Sequence, residues 1–171
     1  MKDLKKYIRD VPDFPKKGII FKDITTLLKR GEIFKEVIDT FAERYKASNL
    51  DSIVSVEARG FIMGSALAYR LGTGLIPVRK KGKLPYKTEA ITYNLEYGTD
   101  TLEIHKDAIN SGDRVLIIDD LLATGGTISA AAQLVEKQGG EIVEIAFLIE
   151  LAFLNGRDKL KKYDVFSLIQ Y

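Results

Sequence analysis

The 171-residue chain contains no cysteine, and His105 is its single histidine. Without cysteine the chain can form no disulfide, no thiolate metal site and no cysteine nucleophile. One histidine cannot build a zinc site of several histidines, and a Ser-His-Asp triad would have to use His105. A metal in this protein would therefore be a hard cation bound by oxygen, and we expect magnesium that arrives with a phosphate substrate.

A charge excess and a long apolar run are also missing. Basic and acidic side chains number 26 and 24, so the net charge is +2, which is too small to indicate nucleic acid or a membrane surface as a partner. No segment has the length of a membrane span, and no apolar segment follows the charged N-terminus as it would in a secretory signal. We therefore expect a cytoplasmic protein that binds neither nucleic acid nor membrane.

The composition is that of an ordinary globular protein, with 46% hydrophobic and 29% charged residues. No repeat or linker-like segment divides the chain, so residues 1–171 are predicted to form one domain. Apolar periodicity predicts helices over residues 2–9, 32–47, 61–71 and 127–138. Short apolar or β-branched runs predict strands over residues 52–56, 75–78, 114–118, 141–149 and 165–169, with a β-hairpin over about 88–106. This alternation predicts an α/β fold with a mostly parallel sheet flanked by helices.

The segment from Val115 to Ile128, VLIIDDLLATGGTI, is the most informative part of the sequence. A buried strand is followed by Asp119 and Asp120, then by a loop that ends in Ala-Thr-Gly-Gly-Thr, and then by a helix. In a parallel sheet this order places the loop at the carboxyl ends of the strands, where ligands bind. Two glycines, two threonine hydroxyls and a helix N-terminus favour a phosphate, whereas two carboxylates suit ribose hydroxyls or magnesium.

Other interpretations of this segment fit less well. A Walker A loop requires lysine after the second glycine, and here Thr127 follows Gly126. The dinucleotide fingerprint G-x-G-x-x-G is not matched, because the run from Gly72 ends in Pro77 and precedes a strand. The plainest alternative is that the two aspartates cap a turn and the two glycines merely ease a loop. That alternative accounts for an isolated Gly-Gly but not for the whole ordered string.

The string resembles the phosphoribosyl pyrophosphate (PRPP) motif of the type I phosphoribosyltransferases. Further segments resemble the branch of that family that acts on adenine, and together they cover nearly the whole chain. These segments are DFPKKGIIFKD (13–23), EARGF (57–61), RKKGKLPYKT (79–88), NLEYG (94–98), LEIHKDAI (102–109) and the terminal FSLIQY. Two positions depart from the family pattern, Lys17 where proline is usual and Lys22 where arginine is frequent. The resemblance implies a twisted sheet with a flexible hairpin and a small N-terminal hood over about residues 1–30.

The resemblance also implies the reaction, adenine + PRPP → AMP + pyrophosphate, and a role for each matching residue. Asp119 and Asp120 would hold the ribose hydroxyls, directly or through Mg²⁺ brought with PRPP rather than in a dedicated protein site. The 5-phosphate would be bound by Ala123, Thr124, Gly125, Gly126 and Thr127. The pyrophosphate would be bound by Arg59, Arg79, Lys80 and Lys83, and the adenine by Ile20, Phe21, Lys22 and Leu151. The partners implied are adenine, PRPP, AMP, pyrophosphate and a second copy of the chain in a homodimer.

The predicted hairpin carries the residues implied in proton transfer. Glu96 would exchange a proton with the imidazole ring of adenine, and Tyr97 would help to exclude water when the hairpin closes. His105 alternates with Leu102 and Ile104, so we expect it to face solvent and assign it no catalytic role. Before Arg59 the resemblance suggests a strained or cis peptide bond, at Ala58–Arg59.

Two other functions remain open on the sequence alone. One is the same transfer to xanthine or another base, which the 13–23 segment disfavours because adenine presents a donor at position 6 and an oxopurine an acceptor. The other is a PRPP-sensing regulator that binds nucleic acid. Such regulators usually add a DNA-binding module or a large basic face, and neither is evident in this chain.

Overall fold

A computed structural model describes residues 3–94 and 98–171 of the chain. Nine strands, four α-helices and three short 3-10 helices are present in this part of the chain. The strands are β1 (Arg9–Pro12), β2 (Ile20–Asp23), β3 (Ser52–Val56), β4 (Gly74–Lys80), β5 (Thr88–Asn94), β6 (Thr99–His105), β7 (Arg114–Leu122), β8 (Glu141–Glu150) and β9 (Val165–Gln170). The helices are α1 (Thr25–Leu28), α2 (Gly31–Tyr45), α3 (Gly60–Leu71) and α4 (Gly126–Lys137), and the 3-10 helices are Leu4–Tyr7, Ala152–Leu154 and Gly156–Leu160.

The main sheet has seven strands in the order β5-β6-β4-β3-β7-β8-β9. Five consecutive strands of this sheet are parallel to one another: β4, β3, β7, β8 and β9. β6 pairs antiparallel with both β4 and β5. The predicted mostly parallel α/β sheet and its hairpin are therefore confirmed. No helix within the described residues is both long and apolar enough to cross a membrane.

The central strands bury apolar side chains on both faces of the sheet. Along β7, Leu116 and Ile118 pack into the layer that contains α2 and α3, whereas Ile117 packs into the opposite layer with α4. This alternation is the two-residue period of a strand, and it explains why a central parallel strand has a continuous apolar sequence. The core thus fixes β7 between two helical layers and holds its carboxyl end in one position.

The N-terminal segment differs from the prediction. A helix was expected over residues 2–9, but the structure has the short 3-10 helix Leu4–Tyr7 followed by a two-stranded antiparallel sheet of β1 and β2. Cross-strand ion pairs stabilise this sheet, with Arg9 2.5 Å from Asp23 and Lys22 2.7 Å from Asp10. The alternating charges of β1 and β2 were readable in the sequence, but their pairing depends on a turn that periodicity does not report.

Asp23 provides a test of how this small sheet is held. Hydrogen bonds from Arg9 and Thr25 lower the pKa of Asp23 to about 2. Because the pKa is lowered on folding, this interaction stabilises the protein above pH ~4 and is lost as the pH falls towards 2. Arg9 is exposed, so we expect Asp23→Asn to reduce the free energy of unfolding by only about 1 kcal/mol at pH 7. Urea unfolding of both proteins between pH 7 and pH 3 should show the difference shrink below pH 4, and a constant difference would contradict this assignment.

Candidate active site

Asp119 and Asp120 lie inside β7, not beyond its end. The strand was predicted to end at residue 118, but it continues to Leu122 because β8 remains paired with it, Asp119 opposite Phe147 and Leu121 opposite Ile149. Asp120 is 5% exposed, and Asp119 is partly buried. The two carboxylates are thus fixed by the sheet itself, at its carboxyl edge.

The Asp119 carboxylate is held from two sides. It accepts a hydrogen bond of 2.8 Å from the backbone N–H of Asp120, and it lies against Gly60, the first residue of α3. A Cβ on Gly60 would come within 2.6 Å of Asp119 Oδ1, closer than real Cβ contacts. Burial and the neighbouring Asp120 charge raise the pKa of Asp119 well above its usual value. A cation or a hydroxyl donor at this edge of the sheet would stabilise the charged form of Asp119 and would therefore be bound favourably.

Gly60→Ala should lower activity by moving that carboxylate. The added methyl group must displace Asp119, while the helix itself gains from replacing glycine by alanine. We expect kcat/KM to fall by at least about tenfold with little loss of stability. Steady-state kinetics and thermal unfolding measure the two effects separately, and Gly31→Ala, with open space around its Cβ, is the matched control. Full activity in Gly60→Ala would contradict the placement of Asp119.

Arg59 connects the carboxylates to the N-terminal sheet. Its guanidinium donates a hydrogen bond to Asp120 and lies over the ring of Phe21, 5.3 Å from the ring centroid. Burial alone would lower the pKa of Arg59, but the charge and hydrogen bond of Asp120 raise it above its usual value. A residue predicted to bind pyrophosphate therefore contacts one residue predicted for the ribose and one predicted for the base.

The predicted phosphate loop, residues 123–127, borders a cavity of about 260 Å³. The walls of this cavity are Glu57, Ala58, Arg59 and every residue from 119 to 128. Gly125 has φ +77° and stands immediately before α4, so the turn needs the left-handed conformation that glycine allows. The structure thus brings together Arg59, both aspartates and all five residues predicted for the 5-phosphate.

The predicted pyrophosphate cations outside that cavity are paired with carboxylates of the chain. Glu57, whose side chain is 6% exposed, lies 2.8 Å from Arg79 and 2.6 Å from Lys83. Burial would raise the pKa of Glu57, but Lys83 and Arg79 lower it. Lys80 lies 3.0 Å from Asp100. Sequence reasoning missed Glu57, although it stands directly before the Ala58-Arg59 pair.

The peptide bond in this turn also differs from the expectation. The cis bond without proline is Glu57–Ala58, one bond earlier than Ala58–Arg59. The motif marks the turn between β3 and α3, but a sequence pattern does not specify which peptide bond of the turn is cis.

The residues predicted for the base lie on two different elements. In β2, Ile20 is 54% exposed, Phe21 packs edge-to-face against Phe14 with centroids 5.2 Å apart, and Lys22 pairs with Asp10. Leu151 is partly buried after β8, where its N–H donates to the carbonyl of Leu122 at 2.9 Å. None of these four lines the cavity described above. The contact between Arg59 and Phe21 connects the cavity to the residues of β2 that are predicted to bind the base.

Two neighbours of the phosphate loop were not predicted. The backbone of Gly156 packs so closely on Ala123 and Gly125 that a Cβ at Gly125 or Gly156 would collide with the other segment. The hydroxyl of Tyr93, in β5, lies 3.2 Å from Thr127 Oγ1. The Asn155-Gly156 pair was visible as a turn signal, but the contact of Gly156 with Ala123 and Gly125, more than 30 positions earlier in the chain, was not.

The remaining predictions concern the hairpin. Glu96 and Tyr97 lie outside the described residues, between the end of β5 at Asn94 and the start of β6 at Thr99. His105 is only partly exposed, less than expected: its Nε2 is buried and has no hydrogen-bond partner among the described residues, and its ring packs edge-to-face with Tyr86, 6.2 Å between centroids. Tyr86 lies in the loop before the hairpin, and its contact with β6 could not be predicted from alternation along the strand.

Comparison with known proteins identifies the class to which this fold and site belong. Residues 23–170 match the model of the phosphoribosyl transferase domain family. The adenine phosphoribosyltransferase of Syntrophotalea carbinolica is 63% identical over 171 residues, 100% of both chains. A crystal structure of adenine phosphoribosyltransferase from Thermoanaerobacter pseudethanolicus has a TM-score of 0.96 at 56% identity, with 99% of each chain covered.

A third match has ligands in its crystal structure. The adenine phosphoribosyltransferase of Saccharomyces cerevisiae, complexed with an imino-altritol bisphosphate and adenine, has a TM-score of 0.93 at 43% identity and covers 98% of this chain and 97% of its own. The chain belongs to the adenine phosphoribosyltransferase family.

Proposed function

We propose that the chain transfers the 5-phosphoribosyl group of PRPP to adenine, with AMP and pyrophosphate as products. The observation that carries this proposal is the cavity in which two carboxylates, a guanidinium and a glycine-rich helix N-terminus meet. These groups match the ribose, the pyrophosphate and the 5-phosphate of one substrate. Full-length relatives that carry the same enzyme name support the choice of adenine as the base.

The reaction requires positioning and charge stabilisation, not a covalent nucleophile. Breaking the bond between C1 and pyrophosphate creates positive charge on the ribose ring and negative charge on the leaving group. Asp119 and Asp120 hold the ribose hydroxyls next to the developing positive charge. The backbone N–H groups and hydroxyls of residues 123–127 hold the 5-phosphate, and α4 adds its positive N-terminal end. A chain without cysteine can therefore catalyse this transfer.

The leaving pyrophosphate is bound by cations that already have carboxylate partners. Arg59 leaves Asp120, and Arg79 and Lys83 turn from Glu57, as the more highly charged pyrophosphate oxygens compete for them. Lys80 leaves Asp100 in the same way. These internal ion pairs keep the basic side chains ordered close to their proposed positions before substrate arrives, which reduces the entropy lost on binding.

Adenine is held between the N-terminal sheet and Leu151. The face of Phe21 stacks on the purine once Arg59 moves to pyrophosphate, and the backbone groups of Ile20 and Lys22 read N1 and the 6-amino group. Glu96 exchanges the proton of the imidazole ring and Tyr97 excludes water, as the family resemblance implies. The exposure of Ile20 is consistent with a surface that a ligand covers.

Magnesium fits the donor set at this edge of the sheet. Among residues 3–94 and 98–171, no group of three or more His, Cys, Asp or Glu side chains could hold a metal. Asp119 and Asp120 supply carboxylate oxygens, and Mg²⁺ is commonly bound by one or two carboxylates plus substrate oxygens. When bound, the ion would neutralise charge on the pyrophosphate of PRPP.

A homodimer in the cytoplasm completes the proposal. Ile62 and Tyr69 lie seven residues apart on α3, hence on one helix face, and are 41% and 91% exposed. Such a face suits a second copy of the chain, and light scattering at several concentrations gives its mass. The cytoplasm is the compartment expected for substrates as highly charged as PRPP and AMP.

The proposed reaction is tested by product analysis. The protein is incubated with Mg²⁺, PRPP and adenine, and the mixture is separated by ion-exchange chromatography. We expect AMP and pyrophosphate in equal amounts, at a rate proportional to protein concentration. PRPP consumption without AMP formation, or no consumption at all, would overturn the proposal.

A further inference from the structure

The phosphate loop has no cation of its own in the sequence. Residues 119–128 contain two aspartates and no basic residue, whereas a phosphate monoester carries about 1.5 to 2 negative charges at pH 7. A helix N-terminus supplies roughly half a positive charge. Residues 119–128 and the helix N-terminus together therefore carry too little positive charge to balance the phosphate that they are proposed to bind.

The fold brings a lysine to this loop from 33 positions further along the chain. Lys159 Nζ lies 3.7 Å from the point where a Cβ on Gly126 would stand. Gly126 is the first residue of α4, so the ammonium group is at the positive end of that helix. Among the described residues Lys159 has no ion pair, unlike Arg59, Arg79, Lys80 and Lys83. Its charge is therefore not neutralised by any residue that the structure describes.

The segment that carries Lys159 is fixed against the loop. Gly156 packs directly on the backbone of Ala123 and Gly125, and Leu160 is buried at 1% exposure. Between them Arg157 donates two hydrogen bonds of 2.7 Å to the Glu150 carboxylate. The 3-10 helix Gly156–Leu160 thus has anchors on both sides of Lys159, so its backbone presents this side chain to α4 in a defined place.

We propose that Lys159 is a further binding residue for the 5-phosphate of PRPP and AMP. Lys159 provides, from a distant segment of the chain, the positive charge that residues 119–128 lack. The inference rests on the proposed function, since it names an additional residue of the same phosphate site. It predicts a selective effect: ligands that contain the 5-phosphate should depend on Lys159, whereas adenine and pyrophosphate should not. An electrostatic contact of this kind is also weakened by salt.

Calorimetric titration with four ligands tests this proposal: AMP, ribose 5-phosphate, adenosine and pyrophosphate. We expect Lys159→Ala to weaken AMP and ribose 5-phosphate about tenfold and to leave adenosine and pyrophosphate unchanged. Lys159→Arg should restore most of the loss. Lys161→Ala is the matched control. Lys161 lies two residues after Lys159 and forms an exposed ion pair with Asp158, so removal of its charge should have no effect.

The outcomes separate this proposal from the function on which it rests. If the unmodified protein binds AMP but Lys159→Ala binds it equally well, the role of Lys159 is wrong and the proposed function stands. Equal weakening of adenosine and AMP would also overturn it, since the effect would then not depend on the phosphate. If the unmodified protein binds neither AMP nor ribose 5-phosphate, the proposed function itself fails.

Discussion

Asp120→Asn should lower kcat/KM for PRPP by about 100-fold or more. Asp120 is 5% exposed and is the carboxylate that pairs with Arg59. The amide keeps the shape but loses the charge, so it weakens the hydrogen bonds to the ribose and leaves Arg59 without its counter-ion. Hydrogen bonds to charged groups are worth about 1.5–3 kcal/mol each, and one or two of them give this loss.

Steady-state kinetics with PRPP as the varied substrate measures this effect, and urea unfolding reports any change in the fold. Asp107→Asn is the control, because it removes the same charge from an exposed turn. Asp119→Asn should also weaken PRPP use. Normal PRPP kinetics in both Asp119→Asn and Asp120→Asn would show that these carboxylates do not hold the ribose.

Glu96→Gln should lower kcat by about 10²–10⁴, with the KM for PRPP little changed. Adenine must lose an imidazole proton as its N9 attacks C1, and general acid–base catalysis by a positioned carboxylate contributes a factor of this size. Glutamine has nearly the same shape but cannot take the proton. Because Glu96 lies outside the described residues, this expectation depends on the NLEYG resemblance and not on geometry.

The kinetic pattern distinguishes proton transfer from simple positioning. Rapid-quench single-turnover measurements, with the protein in excess over PRPP and with saturating adenine, isolate the chemical step from product release. Glu43→Gln, at an exposed position of α2 that pairs with Lys46, should behave like the unmodified protein. If Glu96→Gln retained most of its single-turnover rate, Glu96 would not transfer the proton.

The central part of the fold was predictable because its signals are local. The apolar run of β7 and the helical period of α2 each reflect burial on a regular element; β7 begins at the predicted Arg114, and both ends of α2 lie close to the predicted bounds. The predicted end of β7 was less accurate, because β7 continues to Leu122 through its pairing with β8. The β1–β2 sheet was missed because a short exposed hairpin has no apolar period.

The candidate site divides in the same way. The five loop residues and two aspartates are consecutive, so a motif identifies them together. Partners from distant segments carry no such signal: Glu57 holds Arg79 and Lys83, and Gly156 supports Gly125. These contacts follow from the strand order of the sheet, which places β3, β4 and the end of β8 around one edge. Sequence spacing does not report which loops meet there.

The most direct test of the central claim is a comparison of four purine bases in one assay. Initial rates of nucleotide formation are measured with PRPP, Mg²⁺ and adenine, hypoxanthine, guanine or xanthine at equal concentration. Once the bound base covers the backbone groups of Ile20 and Lys22, a site that matches a donor at position 6 should reject an acceptor there by about 10⁴. We therefore expect AMP as the only substantial nucleotide product, and comparable rates with an oxopurine, or none with adenine, would contradict the claim.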